Sequence, residues 1–256
     1  MWYPMPRTDM ADDQQEIADD GARIRANPLL HEIYNDVYAR ILEELPVDRF
    51  PRVLELGSGG GFLRELAPHV ITSECVPVRG IARVVDACRL ATHFSPGELD
   101  AVCAFNVFHH LPDCEGFLRD AQSVLRPGGR IVLIEPWFTP LGQWFYRGLH
   151  HEPSILDPDA WTIAGVGRLA GANSRLPTSV FRDSDARFER SFPELRIVER
   201  RPFHKWLYLF SGGLKLNTRV PRPLARALVA ADRLVHSGDE LTGLFARIVV
   251  ERRLRS

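Results

Sequence analysis

The sequence predicts an α/β fold, a doubly wound and mostly parallel sheet covered by helices on both faces. From residue 52 onwards, short apolar runs alternate with helix-like segments, which is typical of parallel sheets. The runs are almost continuously apolar, as expected for strands that are buried on both faces. A glycine-rich turn at residues 57–61 follows the first run and is typical of a ligand site at the carboxyl end of a strand.

The elements are assigned in chain order. Residues 1–20 are polar, and we expect them to be loose or lid-like. Apolar residues at i, i+3 and i+4 spacing predict a helix over residues 28–45, with Asn27 as its cap. Strands are predicted at 52–56, 70–75, 83–85, 99–105, 130–135, 195–201 and 244–253, helices at 62–67 and 115–125, and a turn at 127–129.

The spacing of these elements predicts one domain over residues 1–256. We expect an N-terminal lid and helix over residues 1–45 and a ligand-binding core over residues 50–136. Residues 137–193 and 202–243 are longer than ordinary connections and are therefore expected to be insertions that cap the substrate.

Composition excludes several classes of protein. The net charge of −1 gives no bulk attraction to nucleic acid. The four cysteines form no C-x-x-C pair, which argues against a zinc or redox motif. No signal peptide and no apolar run long enough to span a membrane is evident. We therefore predict a cytoplasmic location.

The turn after the first strand has the pattern G-x-G-x-G, formed by Gly57, Gly59 and Gly61, with Glu55 two residues before it. Glycine lets the backbone turn sharply and lets a ligand approach it closely. A dinucleotide fingerprint would need glycine where Phe62 stands, which argues against a nicotinamide-dependent reductase. The pattern resembles motif I of the class I S-adenosylmethionine-dependent methyltransferases.

Further segments extend this resemblance over roughly residues 50–136. Glu74 ends the second strand and Asp86-Ala87 the third, while Phe108–Asp113 and Val124–Arg130 resemble later family segments. The chain is similar to the broad group that includes ubiquinone-biosynthesis methyltransferases. The resemblance implies a Rossmann-like seven-stranded sheet of order 3-2-1-4-5-7-6 with an antiparallel last strand, helical lid insertions and S-adenosylmethionine as cofactor.

The resemblance also implies roles for individual residues. The backbone of the glycine loop would lie close to the methionine part of the cofactor. Glu74 would accept hydrogen bonds from the ribose hydroxyls, and Asp86 would accept one from the adenine amino group. The cofactor-binding residues implied are Glu55, Gly57, Ser58, Gly59, Gly61, Glu74, Asp86, Ala87, Asn106 and Val107. Only eleven residues separate Glu74 from Asp86, and Pro77 and Gly80 among them argue against the helix that the family usually has there.

Two histidines are candidate catalytic bases. His110 follows the fourth strand, near the expected position of the methyl group, and His151 lies in the first insertion. Histidine can take a proton from an acceptor hydroxyl near neutral pH. We interpret His109 as structural. Residues 150–152 lack the spacing of a metal site, and no metal is expected.

The sequence therefore predicts methyl transfer to a small or lipid-like acceptor. One alternative is a membrane-associated enzyme acting on a polyprenyl-linked or quinone-type lipid, at the inner face of the membrane. The apolar run 206–210 and the arginine-bearing helix predicted at 223–235 would suit such a surface. Another alternative is a catalytically silent cofactor-binding regulator.

Overall fold

The computed structural model describes residues 10–148, 161, 171–203, 207–208, 220–235 and 240–254. Within these ranges, seven strands form one sheet: β1 (Val53–Leu56), β2 (Ile71–Glu74), β3 (Arg83–Val84), β4 (Leu99–Phe105), β5 (Leu125–Pro136), β6 (Leu195–Phe203) and β7 (Phe245–Arg252). The strand order is β3-β2-β1-β4-β5-β7-β6. Strands β1 to β5 are parallel, and β7 runs antiparallel to both β5 and β6. The predicted fold class, sheet order and orientation of the last strand are confirmed.

Helices cover both faces of this sheet. They are α1 (Met10–Ala26), α2 (Pro28–Leu42), α3 (Phe62–Leu66), α4 (Cys114–Val124), α5 (Pro140–Gly148), α6 (Leu176–Thr178), α7 (Asp185–Ser191) and α8 (Arg222–Val235), with short 3-10 helices at Ala87–Thr92 and Phe108–His110. One apolar layer contains Ile41 of α2 and Phe62 of α3. The layer on the other face contains Phe117 of α4 and Trp161.

The N-terminal region differs from its prediction. Residues 1–9 of the segment expected to be loose or lid-like lie outside the described residues, and residues 10–20 belong to the regular helix α1. Ile17 and Ile24 of α1 are buried, seven residues apart. Two helical turns separate them, so both can face the protein while Asp12, Glu16 and Asp19 of the same helix are exposed.

Strand β5 also differs, because it begins at Leu125 and includes the segment predicted as a turn. The register with β4 shifts between Leu99 and Ala101, so residues 126–129 form an irregular bulge. Gly128 in this bulge has a φ of 76°. The glycines therefore bend a continuous strand rather than separate a helix from it.

The connection from β2 to β3 is short and lacks a helix, as predicted. Between Glu74 and Asp86 the structure has no helix, only the two-residue strand β3. Among the described residues, no helix combines the length and apolar character needed to cross a bilayer.

Candidate functional site

A cavity of about 530 Å³ opens at the carboxyl ends of β1, β2 and β4. In an open α/β sheet this is the edge at which ligands bind. The cavity lies within the volume range of small-molecule sites, roughly 300–1,000 Å³. Its described lining residues are Ile17, Asp20, Gly21, Ile24, Tyr34, Tyr38, Leu56, Gly57, Ser58, Gly59, Gly60, Phe62, Glu74, Cys75, Val85, Asp86, Ala87, Cys88, Phe105, Asn106, Val107, His110, Leu111 and Pro112.

The glycine loop forms the floor of the cavity. Gly57 has a φ of +63°, and a Cβ atom there would lie 2.4 Å from Cγ2 of Val107. Gly59 has a φ of +52°, and no atom of the described residues lies within 4 Å of the same position. The loop therefore needs glycine at residue 57 for packing and leaves open space for a ligand above residue 59.

Glu74 at the end of β2 lies against this loop. Its Oε1 accepts a hydrogen bond of 2.6 Å from the backbone N–H of Gly59, and its Oε2 one of 3.3 Å from Cys75. Burial raises the pKa of Glu74, while these two backbone donors oppose the rise. A carboxylate that both braces the loop and lines the cavity can accept hydroxyl groups of a ligand.

Glu55 lies beneath the loop and is not among the residues that line the cavity. It is 1% exposed, and its Oε2 has no hydrogen-bond partner among the described residues. Burial raises its pKa to about 7, although hydrogen bonds from Ser58 and Tyr38 lower it. Gly61, the cap residue of α3, is likewise absent from the described lining.

Asp86 and Ala87 line the opposite end of the cavity. Asp86 caps the 3-10 helix that follows it, because its Oδ1 accepts a hydrogen bond of 3.0 Å from the N–H of Cys88. The second carboxylate oxygen has no part in that cap. Asp86 can therefore cap the helix and bind a ligand at the same time.

Asn106 follows β4 with a φ of 55°, the only positive φ of a non-glycine residue in the described ranges. Its Oδ1 is buried without a hydrogen-bond partner among the same residues. Backbone strain together with an unsatisfied buried acceptor is typical of a ligand site. A donor group on a ligand would satisfy it.

Glu135, near the end of β5, holds the loop that follows Asn106. Its Oε1 accepts hydrogen bonds of 2.8 Å from the N–H groups of both Val107 and Phe108. Its Oε2 lies 2.6 Å from Nδ1 of His109 and 3.4 Å from the N–H of that residue. Glu135 is 0% exposed, so its carboxylate does not contact solvent. It is an internal anchor for the loop.

His110 lines the cavity next to this anchor. Its ring lies 4.1 Å from the ring of His109, and its Nδ1 lies 3.0 Å from the carbonyl oxygen of Gly171. A carbonyl only accepts hydrogen bonds, so Nδ1 carries the proton and Nε2 is the basic nitrogen of the neutral ring.

The other predicted histidine, His151, lies outside the described residues. No group of three or more metal-binding side chains occurs in the part of the chain that the structure describes.

Sequence reasoning predicted the wall of the cavity only as an N-terminal lid and helix, without its residues, and did not identify the anchor Glu135. The wall is formed by Ile17 and Ile24 of α1 and by Tyr34 and Tyr38 of α2. Only tertiary packing brings these helices to the sheet edge. Glu135 could have been found, because it lies at the end of a strand, as do Glu55 and Glu74.

Several known proteins resemble this chain in sequence or in fold. A family model described as a methyltransferase domain matches residues 29–232. The chain is 29% identical to 27-O-demethylrifamycin SV methyltransferase of Amycolatopsis mediterranei, over 50% of each chain. It is 27% identical to the ubiquinone biosynthesis O-methyltransferase of Xanthomonas campestris pv. campestris, over 49% of this chain and 66% of that one. The chain thus spans between half and two thirds of the length of these relatives.

Among solved structures, a geranyl diphosphate methyltransferase in complex with S-adenosylmethionine matches 88% of this chain and 87% of its own. The TM-score is 0.50 and the sequence identity 14%, so this likeness concerns the fold alone. The family model covers more than half of the chain. The chain therefore belongs to the methyltransferase domain family, among the class I methyltransferases that use S-adenosylmethionine.

Proposed function

We propose that this protein transfers a methyl group from S-adenosylmethionine to a small or lipid-like acceptor. The observation that carries the proposal is the cavity of about 530 Å³ between the glycine loop, Glu74, Asp86 and Asn106. Three features suit the cofactor: open space above Gly59, an unpartnered buried oxygen on Asn106 and carboxylates at two strand ends.

Each predicted binding residue has a proposed part in holding the cofactor. The backbone at Gly57, Ser58 and Gly59 would lie along the methionine part. Glu74 would accept from the ribose, and Asp86 with Ala87 would bind the adenine. Asn106 and Val107 would lie near the reacting centre. Glu55 and Gly61 would act from below, by shaping the loop.

When bound, the cofactor supplies an electrophilic methyl group on its sulfonium sulfur. The protein has to align the acceptor with that group and exclude water. Ile17, Ile24, Tyr34 and Phe105 would form the apolar side of the acceptor space. The rings of Tyr34 and Phe105 lie 5.3 Å apart, edge to face, which gives this side a rigid aromatic surface.

His110 would receive the acceptor proton on Nε2 if the nucleophile is a hydroxyl group. Its position in the cavity and the donation from Nδ1 to Gly171 support this role. His151 remains a sequence-based candidate for the same role.

Calorimetric titration with S-adenosylhomocysteine tests the cofactor site. Wild-type protein should bind with a Kd near 1 μM, about −8 kcal/mol. The Gly59→Arg variant should not bind, because its side chain would enter the open space above the loop. Gly80→Arg is the matched control, since Gly80 also has a positive φ and open space but lies outside the cavity. Failure of the wild type to bind would refute the proposal.

An acceptor screen then tests turnover, with soluble phenols in one arm and quinone precursors or polyprenyl-linked lipids in liposomes in the other. A quinone-type lipid is the second candidate, because one relative is a ubiquinone biosynthesis methyltransferase. Turnover restricted to the liposome arm would favour the membrane-associated enzyme at the inner face of the membrane. Turnover in the soluble arm would favour a cytoplasmic enzyme. Cofactor binding without turnover of any acceptor would favour the silent regulator.

A further inference from the structure

The loop that carries His110 is held from two independent directions. On the side of the sheet, Glu135 accepts hydrogen bonds of 2.8 Å from the backbone N–H groups of Val107 and Phe108. From residues beyond α5, the N–H of Asn173 donates to the carbonyl oxygen of His109 at 2.8 Å. The carbonyl oxygen of Gly171 accepts a hydrogen bond of 3.0 Å from Nδ1 of His110.

His109 connects the contacts made by Glu135 with those made by residues 171–173. It is 2% exposed, and its Nδ1 lies 2.6 Å from the fully buried carboxylate of Glu135. Carboxylate oxygens accept hydrogen bonds, so His109 carries a proton on Nδ1. Its ring lies 4.1 Å from the ring of His110, with an interplanar angle of 42°. Loss or rotation of the His109 ring would therefore remove a packing contact of the His110 ring.

We infer that Glu135 and His109 are positioning residues that hold His110 as the Nδ1–H tautomer, in which Nε2 is the basic nitrogen. The carboxylate fixes the direction of the loop and of the first ring. The His109 ring packs against the His110 ring, and the carbonyl of Gly171 fixes the proton of the His110 ring on Nδ1. This inference rests on the proposed function, since a basic Nε2 matters only if an acceptor must lose a proton.

A structural role for Glu135 alone would affect stability without changing the tautomer of His110. The decisive measurement is therefore NMR of protein with 15N-labelled histidine, in which the chemical shifts of the two ring nitrogens report the tautomer. His110→Gln assigns the signal of His110. Wild-type protein should show the Nδ1–H tautomer, although the Nε2–H tautomer prevails in free neutral histidine.

The Glu135→Gln variant should shift His110 towards the Nε2–H tautomer. The control is Glu189→Gln, an exposed site that should leave the tautomer unchanged. If the Gln variant does not fold, Glu135→Asp is measured instead. Its side chain is one methylene shorter and cannot keep both the backbone donors and the ring at their present distances. An unchanged Nδ1–H signal in the folded variant, or an Nε2–H signal in the wild type, would overturn the inference.

Titration of the same samples with S-adenosylhomocysteine separates this result from the cofactor assignment. Binding within threefold of wild type, together with a changed tautomer, supports the positioning role. Normal binding with an unchanged tautomer overturns the positioning role and leaves the proposed function intact. Absence of binding in the wild type would instead count against the proposed function.

Discussion

At the residue scale, Gly57 shows how backbone conformation and packing combine. With alanine, the residue would keep a φ of +63° and its Cβ would lie 2.4 Å from Val107. We expect Gly57→Ala to lower the free energy of unfolding by about 3 kcal/mol, partly from strain and partly from overpacking. Urea denaturation measures this loss, and calorimetry should show weaker binding of S-adenosylhomocysteine.

Gly80→Ala is the control that isolates the strain. Gly80 has a φ of +87°, but a Cβ there would meet nothing within 4 Å. Its cost should therefore be about 1–2 kcal/mol, the penalty of the left-handed conformation alone. Equal losses at the two glycines would contradict the packing argument.

Glu55 makes stability depend on pH. Burial raises its pKa from the usual 4.5 to about 7, against hydrogen bonds from Ser58 and Tyr38, and the charge of Glu74 adds to the rise. The folded state thus holds this proton more tightly than the unfolded state. The free energy of unfolding therefore falls as the pH rises from about 4 through 7, by about 3 kcal/mol for this group.

The Glu55→Gln variant cannot ionise at this position. Thermal or urea unfolding should show it more stable than wild type at pH 8, by up to about 3 kcal/mol. The difference should shrink towards zero near pH 4. The exposed Glu189→Gln serves as control and should follow the wild type at every pH. A constant difference between Glu55→Gln and wild type across this range would exclude the ionisation of Glu55 as the cause.

At the element scale, α1 is the helix that the sequence did not predict. Its sequence pattern is dominated by acids, and the helix is stabilised by tertiary contacts. Arg25 donates to the carbonyl of Gly60 at 2.6 Å, pairs with Glu65 and lies 4.5 Å from the centre of the Phe62 ring. These partners are 35 to 40 residues away, so no local pattern in residues 10–26 could reveal them.

Gly21 lets α1 approach the glycine loop. A Cβ at this residue would lie 3.1 Å from the Cα of Gly60, and Gly21 also lines the cavity. We expect Gly21→Leu to push α1 away from the loop and to weaken S-adenosylhomocysteine binding at least tenfold, about 1.4 kcal/mol. The matched control is Ala22→Leu on the exposed face of the same helix, which should bind normally. Equal affinities in the two variants would show that α1 does not shape the cavity.

The arginines of α8 illustrate a second limit of sequence reasoning. As a pattern they suited an anionic membrane surface. In the structure, Arg222 and Arg226 each lie 3.1 Å from Glu32 of α2, and Arg233 lies 3.4 Å from Asp36. The helix therefore directs these charges to its neighbour, α2. The pattern of residues along one helix does not distinguish arginines that pair with acids of the same chain from arginines that bind lipid headgroups.

At the scale of the whole molecule, the fold was predictable because its signals are local and repeated. Each strand is a short apolar run that is bounded by turn residues, and acids or asparagine mark several strand ends. The side of the cavity at the sheet edge follows from those strand ends. The other side comes from α1 and α2, whose residues reach the cavity only through long-range packing, and it was therefore predicted only as a lid and a helix.

Arg247 joins three elements of the molecule: α2, β6 and β7. It is 5% exposed, and its guanidinium lies 2.7 Å from Glu199 of β6 and 2.8 Å from Glu43, just beyond α2. It also donates to the carbonyl of Arg40 at 2.9 Å. Arg247→Met keeps most of the side-chain volume but removes the cation that pairs with three carboxylates, those of Glu43, Glu44 and Glu199, and donates to one carbonyl. These carboxylates are partly exposed, so we expect a loss of about 2–3 kcal/mol in the free energy of unfolding, measured by urea denaturation.

The control for Arg247 is Arg226→Met on α8. The Arg226 side chain is 66% exposed, and an ion pair in that setting contributes about 0–1 kcal/mol. High salt should therefore narrow the small difference between Arg226→Met and wild type, but leave most of the loss in Arg247→Met, because buried pairs are screened less. If both variants lost the same small amount, the buried cluster around Arg247 would contribute no more than a surface pair, and the junction of α2, β6 and β7 would depend on apolar packing alone.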